Sequence, residues 1–403
     1  EIMPSLVGSE MCIRDRLKMS KRFLTVGSLL REEELLSYKD EIKTREDITY
    51  PFYEDLKGYK EAEDKAVANV VKAQKEHGLV QITDGEYSKS LWHLDFVWGL
   101  HGVERYIANN GYFFRNNDGS KEKYETRNDI GIKLVDKING KNHPFIDHFK
   151  RLKKLAGDTE IKQCIPSPSH IYGELTLFIG IDDGYYAGKE ENFGKDLVAS
   201  YKDFIKEYEE AGGKIIQFDD CLWEIFSDDN HNSPFEKTTN KKEQQEELAY
   251  KFIDLNNEVI AYAHELGLKV YTHNCRGNYE SRSMSDGSYE SIAHLFLEKQ
   301  NYDRFYLEWD DERAGSIEAL EVFKDKDNEI VLGLLSSKTN TLDDEKRVLD
   351  LLEKASEIID KDRLYLSHQC GFASCDEGNE LTVDEQWAKI DQGQEIAKEF
   401  WGE

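Results

Sequence analysis

Two stretches of the 403-residue chain decide the fold: EAGGKIIQF at residues 210–218 and HELGLKVYT at residues 264–272. In each, a glycine follows a charged amphipathic stretch and precedes a short apolar run rich in β-branched and aromatic residues. Glycine is expected just past the end of a helix, because it adopts left-handed backbone angles without strain. Both stretches therefore predict a helix that ends in a tight turn and continues into a buried strand.

The same alternation runs through most of the chain. Short apolar runs predict eight strands: Phe23–Gly27, Leu79–Thr83, Ile161–Pro166, Lys214–Phe218, Lys269–His273, Arg304–Glu308, Ile330–Leu335 and Arg363–Ser367. Amphipathic patterns predict helices between most of them: Asp64–His77, Lys195–Ala211, Glu243–Leu266, Ser288–Glu298, Asp343–Ile359 and Val383–Phe400. Such alternation indicates parallel βαβ units, and eight strands favour an α/β fold of the (β/α)8, or TIM, barrel type.

Two segments depart from this pattern. His101–Ile138 contains the turn signals NNG and NDG between β-rich runs, which predicts an antiparallel β-hairpin inserted after the second strand. The segment PSLVGSEMCIRDR near the start has neither helical nor strand periodicity and precedes a plausible start at Met19. We therefore interpret residues 1–18 as a non-native or disordered leader and residues 19–403 as one barrel domain.

Composition limits the classes of partner. Lys and Arg number 53 against 81 Asp and Glu, a net charge of −28, which argues against nucleic acid and anionic lipid as partners. No apolar run approaches the roughly 18 residues that a membrane span needs. Residues 19–403 hold an odd number of cysteines at irregular positions, which favours a reducing, cytoplasmic location over a disulfide scaffold. The sequence leaves the oligomeric state open.

Potential metal ligands stand where several predicted strands end. The fifth strand ends in His273 and Cys275, the sixth at Glu308, and the eighth is followed by Cys370. Functional side chains of this fold lie at the carboxyl ends of the strands, so these four side chains are expected to converge. An imidazole, two thiolates and a carboxylate suit Zn²⁺. Each residue also has a simpler interpretation, as a strand end, a rim charge or a small buried group.

A carboxylate is the most exchangeable of these ligands, so a substrate thiol could replace Glu308 at the metal. Zinc would then lower the pKa of that thiol from about 8.5 to below neutrality, because a coordinating thiol loses its proton. The donor set therefore favours activation of a thiol nucleophile. Cys164 and Cys221 follow strand patterns and are expected to be packing groups.

The segments HNCRGN (273–278), YLEWDDERAG (306–315) and SHQCGFAS (367–374) resemble the zinc-binding segments of the cobalamin-independent methionine synthases. The similarity covers residues 21–401 and corresponds to the catalytic C-terminal barrel of those enzymes. It implies zinc held by His273, Cys275, Glu308 and Cys370.

The resemblance also implies an amino-acid site. FLTVGSLLR (23–31) resembles the turn that binds the substrate carboxylate, which maps onto Val26, Gly27 and Ser28. Glu86 matches a glutamate that contacts the amino acid, and Asp219 matches the aspartate that pairs with its ammonium group. The residues alone leave simpler alternatives open: a tight turn, an ion-paired acid, and a helix cap beside a rim charge.

The methyl donor is less well defined. CIPSPSHIYG (164–173) resembles the segment near the folate site, and His170 and Trp92 could contact a flat ring. The full-length synthases carry a proton-donating histidine after the seventh strand, where this chain reads VLGLLSSKTN and offers Lys338 or a serine. Either methyltetrahydrofolate or a methyl-corrinoid therefore remains possible as donor.

These observations predict a zinc-dependent S-methyltransferase that methylates a homocysteine-like thiol to form methionine. Glu308, as the exchangeable ligand, and Asp219, as the partner of the ammonium group, are the predicted catalytic acids. One alternative is a barrel enzyme of the uroporphyrinogen-decarboxylase type, although that chemistry needs basic groups for the substrate carboxylates. A second alternative is a non-catalytic barrel that only binds zinc.

Overall fold

The computed structural model describes residues 20–115, 123–181, 183–227 and 240–403. The predicted leader, residues 1–18, lies outside the described residues, as does the expected tip of the inserted hairpin at residues 116–122.

The strands of the described residues are β1 (Gln81–Ile82), β2 (His101–Tyr106), β3 (Phe113–Arg115), β4 (Lys123–Glu125), β5 (Gly131–Asn139), β6 (Glu160–Ile161), β7 (Gln163–Pro166), β8 (Ile215–Asp219), β9 (Lys269–Asn274), β10 (Arg304–Glu308), β11 (Glu329–Leu335) and β12 (Leu364–His368). Their helices are α1 (Glu33–Lys43), α2 (Tyr59–Glu76), α3 (Leu94–Trp98), α4 (Phe145–Ala156), α5 (Pro168–Gly173), α6 (Glu190–Glu210), α7 (Lys241–Glu265), α8 (Tyr289–Ile292), α9 (Glu345–Ser356) and α10 (Val383–Trp401).

A parallel sheet forms the centre of this α/β fold. Within the described ranges, six strands pair in the order β12-β11-β10-β9-β8-β7, and β1 pairs in parallel with β6. Phe23 makes a parallel bridge to Leu366 of β12. At the other end, the amide of Lys162 donates to the carbonyl of Ile82 at 3.2 Å, which joins β1 to the segment between β6 and β7. All eight predicted strands therefore have a counterpart, although the first is a single bridge.

The glycine turns that predict the fold have the expected backbone geometry. Gly212 follows α6 with a φ of 89°, and Gly267 follows α7 with a φ of 77°. Because only glycine adopts such angles without strain, each helix can stop and turn directly into the next strand. The predictions that α6 begins at Lys195 and that one helix covers Ser288–Glu298 are inaccurate: α6 begins at Glu190, and α8 passes into a turn of π-helix at Ala293–Leu297.

The apolar core has two parts. A large cluster fills the space between the sheet and the helices. A smaller, separate cluster contains buried side chains from the first strand segment and from four strands of the sheet: Leu24, Val26, Ile215, Tyr271, Tyr306 and Val331. Alternating strand residues point to opposite faces, so this second cluster marks the inner face of the curved sheet.

Antiparallel strands lie between β1 and β6. β2 pairs with β5, from Val103 opposite Leu134 to Tyr106 opposite Gly131, and β3 pairs with β4. No helix of the described part of the chain is long and apolar enough to cross a membrane.

Candidate active site

A cavity opens at the carboxyl ends of the strands. Most of the site residues predicted from sequence line it: Val26, Ser28, Glu86, Asp219, His273, Cys275 and Cys370. Aromatic and polar side chains on the connections complete the wall, among them Trp92, His93, Tyr112, Phe114, His170, Glu174 and Phe178. Gly27 and Glu308 are not among the described residues that line the cavity.

Three sulfur atoms cluster in this cavity. The Sγ of Cys275 lies 3.7 Å from that of Cys370 and 3.5 Å from that of Cys221. One ligand atom each from Cys221, His273 and Cys275 lies within 4.8 Å of the others. Cys221, which the strand pattern predicts to be a packing group, thus lines the cavity beside two candidate ligands. Its position just past the end of β8 was the signal that could have included it.

This cluster fits a metal ion chemically. Both ring nitrogens of His273 are buried and have no hydrogen-bond partner among the described residues. Hydrogen bonds with the Cys221 and Cys370 thiols hold the pKa of the Cys275 thiol well below its usual value, which favours a thiolate. Two sulfurs on one tetrahedral zinc, with Zn–S distances of about 2.3 Å, lie about 3.8 Å apart, close to both observed separations.

Glu308 stands beside the cluster in a polar setting of its own. Its Oε2 accepts a hydrogen bond from the backbone amide of Arg276 at 2.8 Å. Its Oε1 lies 3.3 Å from the guanidinium of Arg313 and 3.3 Å from the ammonium group of Lys338. Two cations and one N–H group therefore hold this carboxylate. One of the cations is Lys338, the residue that the sequence offers in place of the proton-donating histidine of the full-length synthases.

A second group of buried atoms lies at the end of β8. One carboxylate oxygen each from Glu86 and Asp219 and the sulfur of Cys164 lie within 4.8 Å of one another. Lys89 pairs with Glu86 at 3.2 Å, so this acid has the ion-pair partner that the simpler interpretation predicts. Burial and the neighbouring Glu86 raise the pKa of Asp219 to about 7. Two carboxylates this close could share one positively charged ligand.

The first-strand turn packs tightly against these acids. A Cβ atom at Gly27 would lie 2.9 Å from the Sγ of Cys164 and 2.9 Å from the Oε1 of Glu86, so only glycine fits without rearrangement. Glu86 itself has a φ of 61°, a left-handed conformation that is uncommon for a residue with a side chain. Such strain often accompanies function, because the surrounding structure must hold the side chain in place.

An aromatic wall faces the acids and thiols. The ring centroids of Trp92 and His170 lie 4.7 Å apart in a tilted arrangement. The Oε1 of Glu174 lies 2.9 Å from the Nε2 of His93, within hydrogen-bond distance. The same oxygen also accepts a hydrogen bond from the Tyr112 hydroxyl. Burial lowers the pKa of His170 to about 4, so its ring is neutral near pH 7. The sequence indicates Trp92 and His170 as side chains that could contact a flat ring, but it gives no signal for Glu174, which lies on the turn of π-helix after α5.

Comparisons with known proteins agree with this architecture. The profile of the family described as cobalamin-independent synthase, catalytic domain, matches residues 187–384. The Bacillus subtilis proteins YxjH and YxjG are 34% identical over 377 residues and 33% identical over 376, in each case across 93% of this chain and 93% of the relative.

Solved structures extend the likeness over nearly the whole chain. A Listeria monocytogenes protein assigned as a vitamin-B12 independent methionine synthase is 29% identical, with a TM-score of 0.66, and the match covers 94% of this chain and 97% of that one. A B12-independent methionine synthase from Shewanella sp. W3-18-1, in complex with selenomethionine, shares the fold with a TM-score of 0.67 at 20% identity, over 96% of this chain and 98% of that one.

The fold and the profile together define a catalytic domain of the cobalamin-independent synthase type. The chain belongs to the cobalamin-independent methionine synthase family and is a methyltransferase of that kind.

Proposed function

We propose that this protein is a zinc-dependent S-methyltransferase that forms methionine from a homocysteine-like thiol amino acid. One observation carries the proposal: the Cys275–Cys370 sulfur pair, 3.7 Å apart, shares one cavity with the buried carboxyls of Glu86 and Asp219. The family favours this chemistry over that of a uroporphyrinogen decarboxylase. The strands would close into one (β/α)8 barrel, with β2 to β5 as an inserted hairpin unit, and the reduced thiols suit the cytoplasm.

The amino acid would lie between the first-strand turn and β8. Val26, Gly27 and Ser28 would receive its carboxylate, and Glu86 and Asp219 would pair with its ammonium group. The close fit of Gly27 against Glu86 supports this arrangement, because it holds the two ends of the site in fixed relation. A substrate held at both ends is oriented for reaction, which can account for much of a rate enhancement.

Zinc would be held by His273, Cys275 and Cys370, with Glu308 as the exchangeable fourth ligand. When bound, the metal supplies the charge that converts a substrate thiol into a thiolate near neutral pH. The residues that line the cavity would hold the amino acid so that its side chain points toward the sulfurs of Cys221, Cys275 and Cys370. The thiol sulfur then takes a methyl group from the donor, whose leaving group keeps the bonding electrons.

The donor would lie along the aromatic wall, where Trp92 and His170 present flat rings. Methyltetrahydrofolate and a methyl-corrinoid both have a flat ring system that could pack there. The neutral state of His170 suits contact with such a ring but leaves this imidazole without a proton to give at pH 7.

A panel of methyl donors tests the function. The zinc-loaded protein would be given homocysteine with folate mono- and polyglutamates, methylcobalamin or S-methylmethionine, and methionine formation measured. We expect one donor class to support turnover, and replacement of Cys275 or Cys370 by serine to remove zinc and activity together. The Cys375→Ser variant, a matched loss of one buried thiol outside the sulfur cluster, should retain zinc. Full turnover by metal-free protein would refute the proposal.

A further inference from the structure

Cys221 occupies a position that the family's ligand set does not assign. It lies two residues beyond the end of β8, and its Sγ is 3.5 Å from the Sγ of Cys275. It also lines the cavity, at a half-buried position. Cys275 therefore has a sulfur neighbour on each side, because Cys370 lies at 3.7 Å.

The two sulfur–sulfur separations are nearly equal and match a common metal. Sulfurs bound to one tetrahedral zinc lie about 3.8 Å apart, whereas a disulfide would bring them to about 2.05 Å. A ligand atom of His273 lies within 4.8 Å of both Cys221 and Cys275. The sulfur–sulfur distance that supports Cys370 as a ligand thus supports Cys221 as well, and Cys221 also belongs with His273 and Cys275 to one group of closely spaced candidate ligands.

Glu308, by contrast, is engaged elsewhere. Its two oxygens receive the amide of Arg276 at 2.8 Å and the cations of Arg313 and Lys338 at 3.3 Å each. To bind a metal, this carboxylate would have to lose some of these contacts with Arg276, Arg313 and Lys338. Thiolates are in addition preferred zinc ligands in proteins.

We propose that Cys221 is a metal ligand in the substrate-free protein, where it takes the fourth position in place of Glu308. The inference rests on the metal site of the proposed function and deepens it. The resting metal then carries one imidazole and three sulfurs, while Glu308 stays with its cations. Cys221 lines the cavity together with His273, Cys275 and Cys370, whereas Glu308 is not among the described residues that line it.

The number of sulfur ligands tests this proposal without an activity assay. X-ray absorption at the zinc edge of the purified zinc-bound protein should give three sulfurs for the wild type and two for Cys221→Ser. Cys375→Ser is the matched control and should keep three. In the cobalt-substituted protein, the sulfur-to-metal charge-transfer band should fall by about one third in Cys221→Ser, because one thiolate of three is lost.

A second variant acts through Glu308. Lys338→Gln removes one cation from this carboxylate, so Glu308 should compete better for the metal and lower the average sulfur count below three. This variant keeps every thiol. A lower sulfur count in it would therefore reflect ligand exchange at the metal and not the loss of folding that could lower the count in Cys221→Ser.

The outcomes are distinguishable. Two sulfurs in both the wild type and Cys221→Ser would overturn the inference and leave the proposed function standing, with Glu308 as the fourth ligand. A Cys221–Cys275 disulfide in the isolated protein, seen by mass spectrometry without reductant, would also overturn it. Absence of stoichiometric metal from the wild type would refute the proposed function itself.

Discussion

Asp219 is a side chain of the cavity that changes its protonation near neutral pH. Burial and the neighbouring Glu86 raise its pKa to about 7, so the carboxyl is largely neutral below that pH and ionised above it. A neutral carboxyl attracts an ammonium group much less strongly than a carboxylate does. Recognition of the amino acid should therefore depend on the charge of this one residue.

We expect methionine, the proposed product, to bind more weakly as the pH falls from 8 to 6. At pH 6 only about a tenth of Asp219 would be ionised, so affinity should fall about tenfold. Calorimetric titration across this range measures the effect directly.

Two variants test the assignment. Asp219→Asn should weaken binding about tenfold or more at pH 8, since hydrogen bonds to charged groups contribute about 1.5–3 kcal/mol, and should flatten the pH profile. Asp310→Asn is a suitable control, because burial and Glu308 also raise the pKa of Asp310 to about 7. Its profile should retain the wild-type slope. An Asp219→Asn profile as steep as that of the wild type would contradict the assignment.

Gly371 packs closely against Ser28 of the first-strand turn, which gives a steric prediction. A Cβ atom there would lie 2.0 Å from the Oγ of Ser28 and 3.0 Å from its amide nitrogen. We expect Gly371→Ala to lower the free energy of unfolding by about 1–3 kcal/mol, as overpacking of a close contact does, and to weaken methionine binding by displacing Ser28.

Gly194→Ala is the matched control for this change. A Cβ there meets its nearest atom at 3.4 Å, and the residue lies within α6, where alanine is favoured over glycine by about 1 kcal/mol. Denaturant unfolding of both variants should move their midpoints in opposite directions. A neutral Gly371→Ala variant would mean that the first-strand turn adapts freely.

The sequence predicts individual side chains when a strand carries them. His273 lies within β9 and Cys275 directly after it, and one ligand atom of each lies within 4.8 Å of the other. Cys221 and Glu174 escape prediction because they lie on connections, where direction depends on how the turn folds. Glu308 follows the strand rule in sequence, but the cations around it come from separate loops that no local pattern specifies.

At the level of elements, strand prediction succeeds because buried parallel strands read as short apolar runs between turn residues. The fourth to eighth predicted strands agree with β8 to β12 to within one residue at their starts and ends. The first differs in kind: among the described residues it forms a single bridge, from Phe23 to Leu366 of β12, and no ladder. The pattern of buried residues therefore predicts that a strand is present better than it predicts how many of its residues pair with a neighbouring strand.

The last helix has an N-terminal cap that can be tested. The Thr382 hydroxyl accepts from the amide of Glu385 at 3.2 Å, and the Glu385 carboxylate accepts from the amide of Thr382 at 2.8 Å. Thr382→Ala should lower the free energy of unfolding by about 1 kcal/mol, because the amide of Glu385 in the first turn of α10 loses its side-chain acceptor. Thr382→Ser keeps a hydroxyl and should remain within a few tenths of the wild type in urea unfolding. Equal loss in both variants would assign the effect to the methyl group instead.

For the whole molecule, the proposed metal would connect distant parts of the sheet. The proposed ligands lie at the end of β9 or just after β8, β9 and β12, so binding would stabilise only the folded state. Zinc at 100 times its dissociation constant should raise the stability of metal-stripped protein by about 2.7 kcal/mol. Thermal unfolding with and without zinc measures this increase.

His273→Gln should abolish the zinc-dependent increase. His368→Gln is the control, because His368 is another buried imidazole of the sheet, near Cys370 in sequence but outside the sulfur cluster. The His368→Gln variant should keep the zinc-dependent increase in stability, even if its metal-free form is less stable than the metal-free wild type. A rise in melting temperature that survives His273→Gln would place the zinc elsewhere.

The overall topology was predictable because strand and helix alternate with few interruptions, and handedness rules leave few ways to connect them. The antiparallel strands between β1 and β6 were predictable from turn residues. Their contact with the cavity, through Tyr112 and Phe114, was not, since it depends on tertiary folding of a long insertion.

The order of the sulfur-bearing segments has a consequence for biosynthesis. Cys370 follows Cys275 by 95 residues, and its strand, β12, is the last in the chain. A ribosome therefore releases Cys221 and Cys275 into the cell well before their third sulfur partner exists. Until β12 has been synthesised and has docked, the proposed metal site lacks Cys370, so its set of ligands is complete only from that point.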